Sequence, residues 1–173
     1  MKKIIIIILI FIGLSTSYLM AQKNKLKIGD KLPLFTLKDQ NGNDFSIKNY
    51  VGNKSIVIYF YPKDDTPGCT KEACKFRDEF EDFTDLNAIV IGISSDNVKS
   101  HKQFEEKYKL PFTLLADTDK IVRKLFGVPK SMGFIPGRVT YIINKKGKIV
   151  YIFNSMSNAE KHVAEAKKIL STL

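Results

Sequence analysis

Two cysteines five positions apart, Cys69 and Cys74, are the only thiols in this chain. Upstream of them runs Tyr59-Phe60-Tyr61-Pro62-Lys63-Asp64-Asp65-Thr66-Pro67-Gly68, an apolar strand entering a Pro/Gly turn. The pattern after the turn is helical, so Cys69 falls in a first helical turn. A thiolate, not a thiol, is the nucleophile, and the free N–H groups and partial positive charge of a helix N-terminus favour it. Thr66 suits the N-cap and Pro67 the first helical position. Three residues before Cys69, the Thr66 hydroxyl can face the sulfur, while Pro62 and Pro67 stiffen the loop. A cation would complete the site. Arg138, which begins a late strand, is the candidate, since parallel strands of one sheet end near one another. These residue types and spacings point to nucleophilic attack by sulfur.

The helix that positions both thiols sets a constraint. Residues five apart on a continuous helix stand roughly 8–9 Å apart at Cα, and a disulfide needs about 7 Å or less. Either the segment is not helical, or a bond between the thiols forms only after local unwinding. Cys69, Ala73, Phe76, Phe80 and Phe83 share a 4-3-4-3 apolar face. Cys74 lies off it, beside Arg77, Asp78 and Glu81. Before this helix, Leu34 to Leu37 and Asp44 to Ile47 bracket Gln40-Asn41-Gly42-Asn43, a hairpin signal. Ser55 to Phe60 and Ala88 to Ser94 are continuous apolar runs expected of buried strands. Asp96 is expected to cap a helix containing Val98, Phe104 and Tyr108. Phe112 to Leu115 reads as a strand, and Ile121 to Phe126 as a short helix closed by Gly127 and Pro129. Arg138 to Asn144 and Lys148 to Phe153 form a second hairpin around Lys145-Lys146-Gly147, and a final helix opens at Asn158. This order predicts an α/β chain of thioredoxin-like fold: a mixed central sheet flanked by helices, with an N-terminal β-hairpin.

Pro62-x-x-x-Thr66-x-x-Cys69 resembles the peroxiredoxin active-site motif. The longer Thr66-Pro67-Gly68-Cys69-Thr70-x-Glu72-Ala73-Cys74 resembles the peroxiredoxin Q, or bacterioferritin comigratory protein, subgroup. Lys31-Leu32-Pro33-Leu34-Phe35 is similar to the family's opening segment and Gly137-Arg138-Val139-Thr140 to its arginine strand. The resemblance implies a peroxidase that needs no metal or other cofactor. Cys69 would be the peroxidatic cysteine, attacking the terminal peroxide oxygen and becoming a sulfenic acid. Thr66 would hydrogen-bond the peroxide, and the backbone N–H groups of Gly68 and Cys69 would donate to its oxygens. Arg138 would favour the thiolate and orient the substrate, and Pro62 would shield the sulfenate. Glu72 is read as a supporting residue that holds Arg138 or complements the helix dipole, with a plain solvated carboxylate as the alternative. Cys74 would be the resolving cysteine, forming an intramolecular disulfide with Cys69 that a thioredoxin-like dithiol reduces. The subgroup also implies a monomer.

The rival reading is a thiol–disulfide oxidoreductase of thioredoxin type in the cell envelope, but that chemistry favours Cys-x-x-Cys. A redox-controlled binding module is a third. Arg77 reads as structural. His101 and His162 lie among lysines and glutamates and are expected to face solvent. The chain has 173 residues and a formal charge of +10. Only Arg77, Arg123 and Arg138 are arginines, and the lysines are scattered, which argues against a nucleic-acid partner. Met1-Lys2-Lys3 followed by an apolar run from Ile4 to Leu14 predicts a signal peptide or membrane anchor over residues 1–21, with the catalytic domain over 22–173. Export to the periplasm or cell envelope, with possible membrane anchoring, is the corresponding expectation.

Overall fold

The computed structural model describes residues 25–173; the signal peptide or anchor expected over 1–21 lies outside them. Its frame is a seven-stranded sheet whose strands lie side by side in the order Asp44–Ser46, Thr36–Asp39, Thr113–Ala116, Ala88–Ser94, Ser55–Phe60, Val139–Ile143 and Ile149–Asn154. The N-terminal hairpin is β1 (Thr36–Asp39) and β2 (Asp44–Ser46). Its turn is held by Asp39, whose Oδ1 accepts from the N–H of Asn41 (2.9 Å) and Asn43 (2.8 Å), with Gly42 at φ 82° where other residues are strained.

The sheet is centred on β3 (Ser55–Phe60), β4 (Ala88–Ser94) and β5 (Thr113–Ala116), mutually parallel. Parallel strands need crossovers. Between β3 and β4 run α1 (Pro67–Asp78) and α2 (Phe80–Asp85); between β4 and β5 runs α3 (Val98–Tyr108). After β5 come α4 (Ile121–Leu125) and a two-stranded ribbon, β6 (Lys130–Ser131) and β7 (Ile135–Pro136), which the sequence pattern did not announce. The second hairpin, β8 (Val139–Ile143) and β9 (Ile149–Asn154), closes the sheet beside β3. The last helix is α5 (Ala159–Leu170).

β3 is buried on both faces, so its side chains alternate between two cores. Val57, Tyr59 and Tyr61 meet Phe76, Phe83, Phe104, Val163 and Ala166 from the helices. Ile56, Ile58 and Phe60 meet Leu32, Ile47, Val122 and Phe126 on the opposite side. No helix among the described residues is long and apolar enough to cross a membrane.

Two local expectations need correction. The 4-3-4-3 face does not lie on one helix: the chain leaves helical geometry at Glu79 (φ −107°, ψ 18°), so Phe80 and Phe83 belong to α2. Glu79 is fixed at this break by Lys75 and Lys167, each at 2.7 Å. The cap of α3 is Asn97, whose side chain accepts from Ser100 N–H at 2.9 Å. Asp96 instead accepts from Asp64 N–H and the Ser94 hydroxyl.

Candidate active site

The end of β3 delivers the chain to one edge of the sheet, and the Pro62–Thr66 loop turns it into α1. Two aspartates pin this loop to α3. Asp64, buried, accepts from the Tyr61 hydroxyl (2.7 Å), the Ser100 hydroxyl (2.7 Å) and His101 Nδ1 (2.8 Å). Burial raises its carboxyl, but the hydrogen bonds, led by that of His101, outweigh it and hold the carboxyl below its ordinary value. Asp65 takes positive φ (55°) and binds Lys107 Nζ and the Tyr108 hydroxyl, both at 2.6 Å. The anchored loop fixes where α1 starts.

Thr66 is the N-cap by backbone position (φ −93°, ψ 148°). Its hydroxyl does not cap the helix, however; it donates to the Lys63 carbonyl at 3.0 Å. The first i→i−4 bond of α1 runs from Thr70 N–H to Thr66 C=O (2.8 Å), so the N–H groups of Gly68 and Cys69 precede it. Cys69 is 2% exposed and packs beside Tyr59, Ala73 and Phe76. Cys74 is half-buried on another face of α1, next to Arg77, and both thiols are free. Arg77 reaches across to the Tyr108 carbonyl (2.8 Å), a structural tie between α1 and α3.

Arg138 meets this helix start from the neighbouring strand. The expectation placed it there through parallel strand ends; the actual reason is antiparallel pairing. Val139, the first residue of β8, pairs with Phe60, the last of β3, so the residue before β8 lies beside the loop that begins α1. The guanidinium, 3% exposed, donates from Nη2 to Cys69 Sγ at 3.4 Å and from Nη1 to Glu72 Oε2. Its Nε points to the Met156 carbonyl at 3.4 Å. Gly68 makes room for it: a Cβ there would stand 3.1 Å from Arg138 Nη2.

Glu72 is fully buried, and burial pushes its carboxyl up to about 8 against the pull of Arg138. Behind it lies His162 of α5. Both histidines correct the expectation of solvent-facing side chains, for each is 0% exposed. His162 Nε2 donates to the Ser155 carbonyl (2.9 Å), and its Nδ1 faces the Thr140 hydroxyl (2.8 Å). Burial lowers His162 to about 4, the Ser155 bond opposing and the Arg138 charge assisting. Pro62 is half-buried at the loop entrance.

Sequence reasoning missed Arg123 on α4. Its buried guanidinium donates to the carbonyls of Gly137 (2.9 Å) and Tyr61 (2.7 Å), the residues just before Arg138 and Pro62. An arginine inside the apolar helix Ile121-Val122-Arg123-Lys124-Leu125 was the available signal.

Residues 28–152 match the AhpC/TSA family. This chain belongs to that family. It is 51% identical over 150 residues to the chloroplastic peroxiredoxin Q of Oryza sativa subsp. japonica, covering 86% of this chain and 69% of that protein. The chloroplastic peroxiredoxin Q of Triticum aestivum matches at the same identity and coverage. Among solved structures, the peroxidoxin BcpB of Mycobacterium tuberculosis superposes with TM-score 0.80 at 33% identity, over 86% of this chain and 98% of that one. A cysteine-to-serine PrxQ from Xylella fastidiosa gives 0.79 at 31% identity, over 85% and 96%. The fold is thioredoxin-like, the subgroup is peroxiredoxin Q, and the activity is that of a thiol-dependent peroxidase of the atypical 2-Cys type. Peroxiredoxins act on peroxides and use thioredoxin-like reductants. The thioredoxin-type oxidoreductase reading is set aside. So is export: relatives at this identity are named as chloroplastic enzymes, which overturns the periplasmic or envelope location expected from the N-terminal run.

Proposed function

We propose that residues 22–173 form one peroxidase domain in which Cys69 is the nucleophile and Cys74 resolves it. The observation that carries this is the Arg138 guanidinium on Cys69 Sγ at the start of α1. A positive charge, an N–H donor and a helix N-terminus converge on one sulfur, and all three stabilise negative charge there. The thiolate attacks the terminal oxygen of a hydroperoxide. An S–O bond forms and the O–O bond breaks. Sulfur is oxidised by two electrons, and the departing alkoxide takes up a proton to become an alcohol, or water when the substrate is hydrogen peroxide. The N–H groups of Gly68 and Cys69, with the lone pairs of Thr66 Oγ1, are placed to hold the peroxide oxygens, and Pro62 covers the sulfenic acid.

Burial divides the labour between the thiols. At 2% exposure, Cys69 is closed to a protein dithiol but open to a small peroxide. Half-buried Cys74 is the sulfur a thioredoxin-like reductant can reach once the two are joined. Both thiols lie on α1, so resolution needs no second chain and a monomer suffices. The first turn of α1 must open for it.

The test is peroxide consumption with dithiothreitol as reductant. Cys69→Ser is expected to lose all turnover. Cys74→Ser should complete one turnover and accumulate sulfenic acid, with dithiothreitol recycling it slowly. Full activity in Cys69→Ser would overturn the assignment.

A further inference from the structure

Glu72 has one oxygen that the Arg138 contact does not explain. Oε2 takes Nη1, but Oε1 is buried without a hydrogen-bond partner. An ionised carboxylate leaves no lone pair of this kind without a donor except at considerable cost. His162 Nδ1 lies 3.6 Å from Oε1. The tautomer of that ring is set from its far side. Nε2 lies 2.9 Å from the Ser155 carbonyl, which can only accept, so the proton is on Nε2. Nδ1 of the neutral ring is therefore an acceptor, and the Thr140 hydroxyl at 2.8 Å donates to it. Oε1 thus faces a ring nitrogen that has no proton to give and whose one lone pair is already taken by Thr140. A carboxylate finds no donor there, and the neutral carboxyl is the form that burial favours.

The charge count around Arg138 leads the same way. Cys69 and Glu72, three residues apart on α1, take Nη2 and Nη1 of one guanidinium. The second buried guanidinium whose charge reaches Cys69, that of Arg123, spends its hydrogen bonds on the Gly137 and Tyr61 carbonyls, so two acidic groups share the donors of Arg138 alone. The titratable or charged groups facing Glu72 are Cys69 on its own helix, Arg138 entering β8, His162 on α5 and Tyr59 on β3. Arg138 is the only permanent cation among them.

Resting on the peroxidase reading above, we propose that Glu72 carries a proton whenever Cys69 is a thiolate, and that His162 is the positioning residue that keeps it there. In the reduced enzyme the thiol proton has moved to Glu72, so the full guanidinium charge serves the sulfur. When the thiolate attacks a hydroperoxide, its negative charge leaves on the alkoxide and the sulfenic acid is neutral. Glu72 then ionises and takes over Arg138. The proton it releases balances the one the alkoxide takes up. The elevated carboxyl and depressed imidazole of the two side chains agree with this assignment.

The experiment uses the full chain with Cys74→Ser, where Cys69 is the sole thiol. Difference infrared spectroscopy follows the reduced protein through one equivalent of peroxide. The expected result is a protonated-carboxyl carbonyl band, present at neutral pH, lost on sulfenic acid formation, and absent in Glu72→Gln. Thiolate ultraviolet absorbance against pH gives a second readout that needs no turnover. His162→Gln supplies an amide donor to Oε1 and favours the carboxylate. The thiolate limb should then move up by about one pH unit, about ten-fold less thiolate along its rise. Adding Glu72→Gln to His162→Gln should return the limb toward its original position, because His162 acts through the carboxyl. A merely structural histidine would not be rescued by removing a neighbouring charge. The proposal is overturned if the band is missing from the reduced protein, if it survives oxidation, or if the double variant stays shifted. Failure of the peroxidase reading is separate: there, added peroxide leaves Cys69 unmodified while the band and the absorbance titration still report on Glu72.

Discussion

At the scale of single residues, the buried acid and the buried base behind Arg138 make opposite contributions to stability across pH. Glu72 ionises near 4.5 in an unfolded chain and about 8 in the folded one. Between those values the native state binds the extra proton, so stability is greatest at the low end and is lost as pH rises. His162 ionises near 6.5 unfolded and about 4 folded. Between those values the unfolded state binds the extra proton, so stability is present above 6.5 and lost as pH falls. From pH 4.5 to 6.5 the two slopes offset. Above 6.5 the thiol must be counted as well: the proton held by Glu72 in the reduced protein is the one Cys69 has given up, and an unfolded chain keeps that proton on the thiol up to its ordinary value of about 8.5. Urea unfolding of the reduced protein should therefore show stability nearly level from pH 6.5 to 8. Glu72→Gln cannot hold the proton, so its unfolded state binds one more than the native state, and its stability should rise over the same range by about 2 kcal/mol, at roughly 1.4 kcal/mol per unit. A level profile in the variant would mean that the thiol proton does not reside on Glu72.

At the scale of elements, two central strands were legible to the residue and the polar connections were not. Ser55–Phe60 and Ala88–Ser94 could be read as they stand because continuous burial on two faces writes an uninterrupted apolar run. That Glu72 and Arg138 meet Cys69 was legible from the motif, whereas spacing alone did not place Arg138. His101 and His162 were not: each is satisfied by residues from other elements, Asp64 in one case and Thr140 with Ser155 in the other. Periodicity carries no sign of such partners, and neighbouring lysines suggested solvent. The break at Glu79 was hidden for a related reason, since Lys167 that secures it comes from α5. What periodicity did convey is that α1 must open before Cys74 reaches Cys69. Its first turn is weakly held, with no acidic residue and no side-chain cap bond. Thr70→Ala should strengthen it by about 0.5 kcal/mol through helix propensity. If opening precedes resolution, the Cys69–Cys74 bond should form about two-fold more slowly in rapid-mixing experiments. Over-oxidation at high peroxide should rise in step, because sulfenic acid waits longer at the branch point. An unchanged resolution rate would place the slow step elsewhere.

At the scale of the whole molecule, the centre of the sheet and the active-site helix are coupled through one aromatic ring. Gly92 in β4 pairs with Tyr59 of β3 and Leu114 of β5. The space a side chain would need is already taken: a Cβ on Gly92 would stand 2.7 Å from Tyr59 Cζ and Oη and 2.8 Å from Leu114 Cδ2. The Tyr59 ring continues outward to stack on Phe76 of α1 at 4.7 Å and on Tyr61 at 5.3 Å. Its hydroxyl is buried without a partner, a cost that only the packing of the ring offsets. Gly92→Ala should therefore overpack the core and lower stability by about 1–3 kcal/mol. The displaced ring pushes on the helix that carries Cys69 and Glu72, so peroxidase activity should fall with stability. Tyr59→Phe removes both the crowded oxygen and the unsatisfied hydroxyl. Alone it should be neutral or stabilising, and combined with Gly92→Ala it should recover part of the loss. Denaturant midpoints of the two single variants and the double measure this. Strict additivity in the double would mean that the Gly92 clash is with Leu114, and that the sheet centre does not reach the active-site helix through Tyr59.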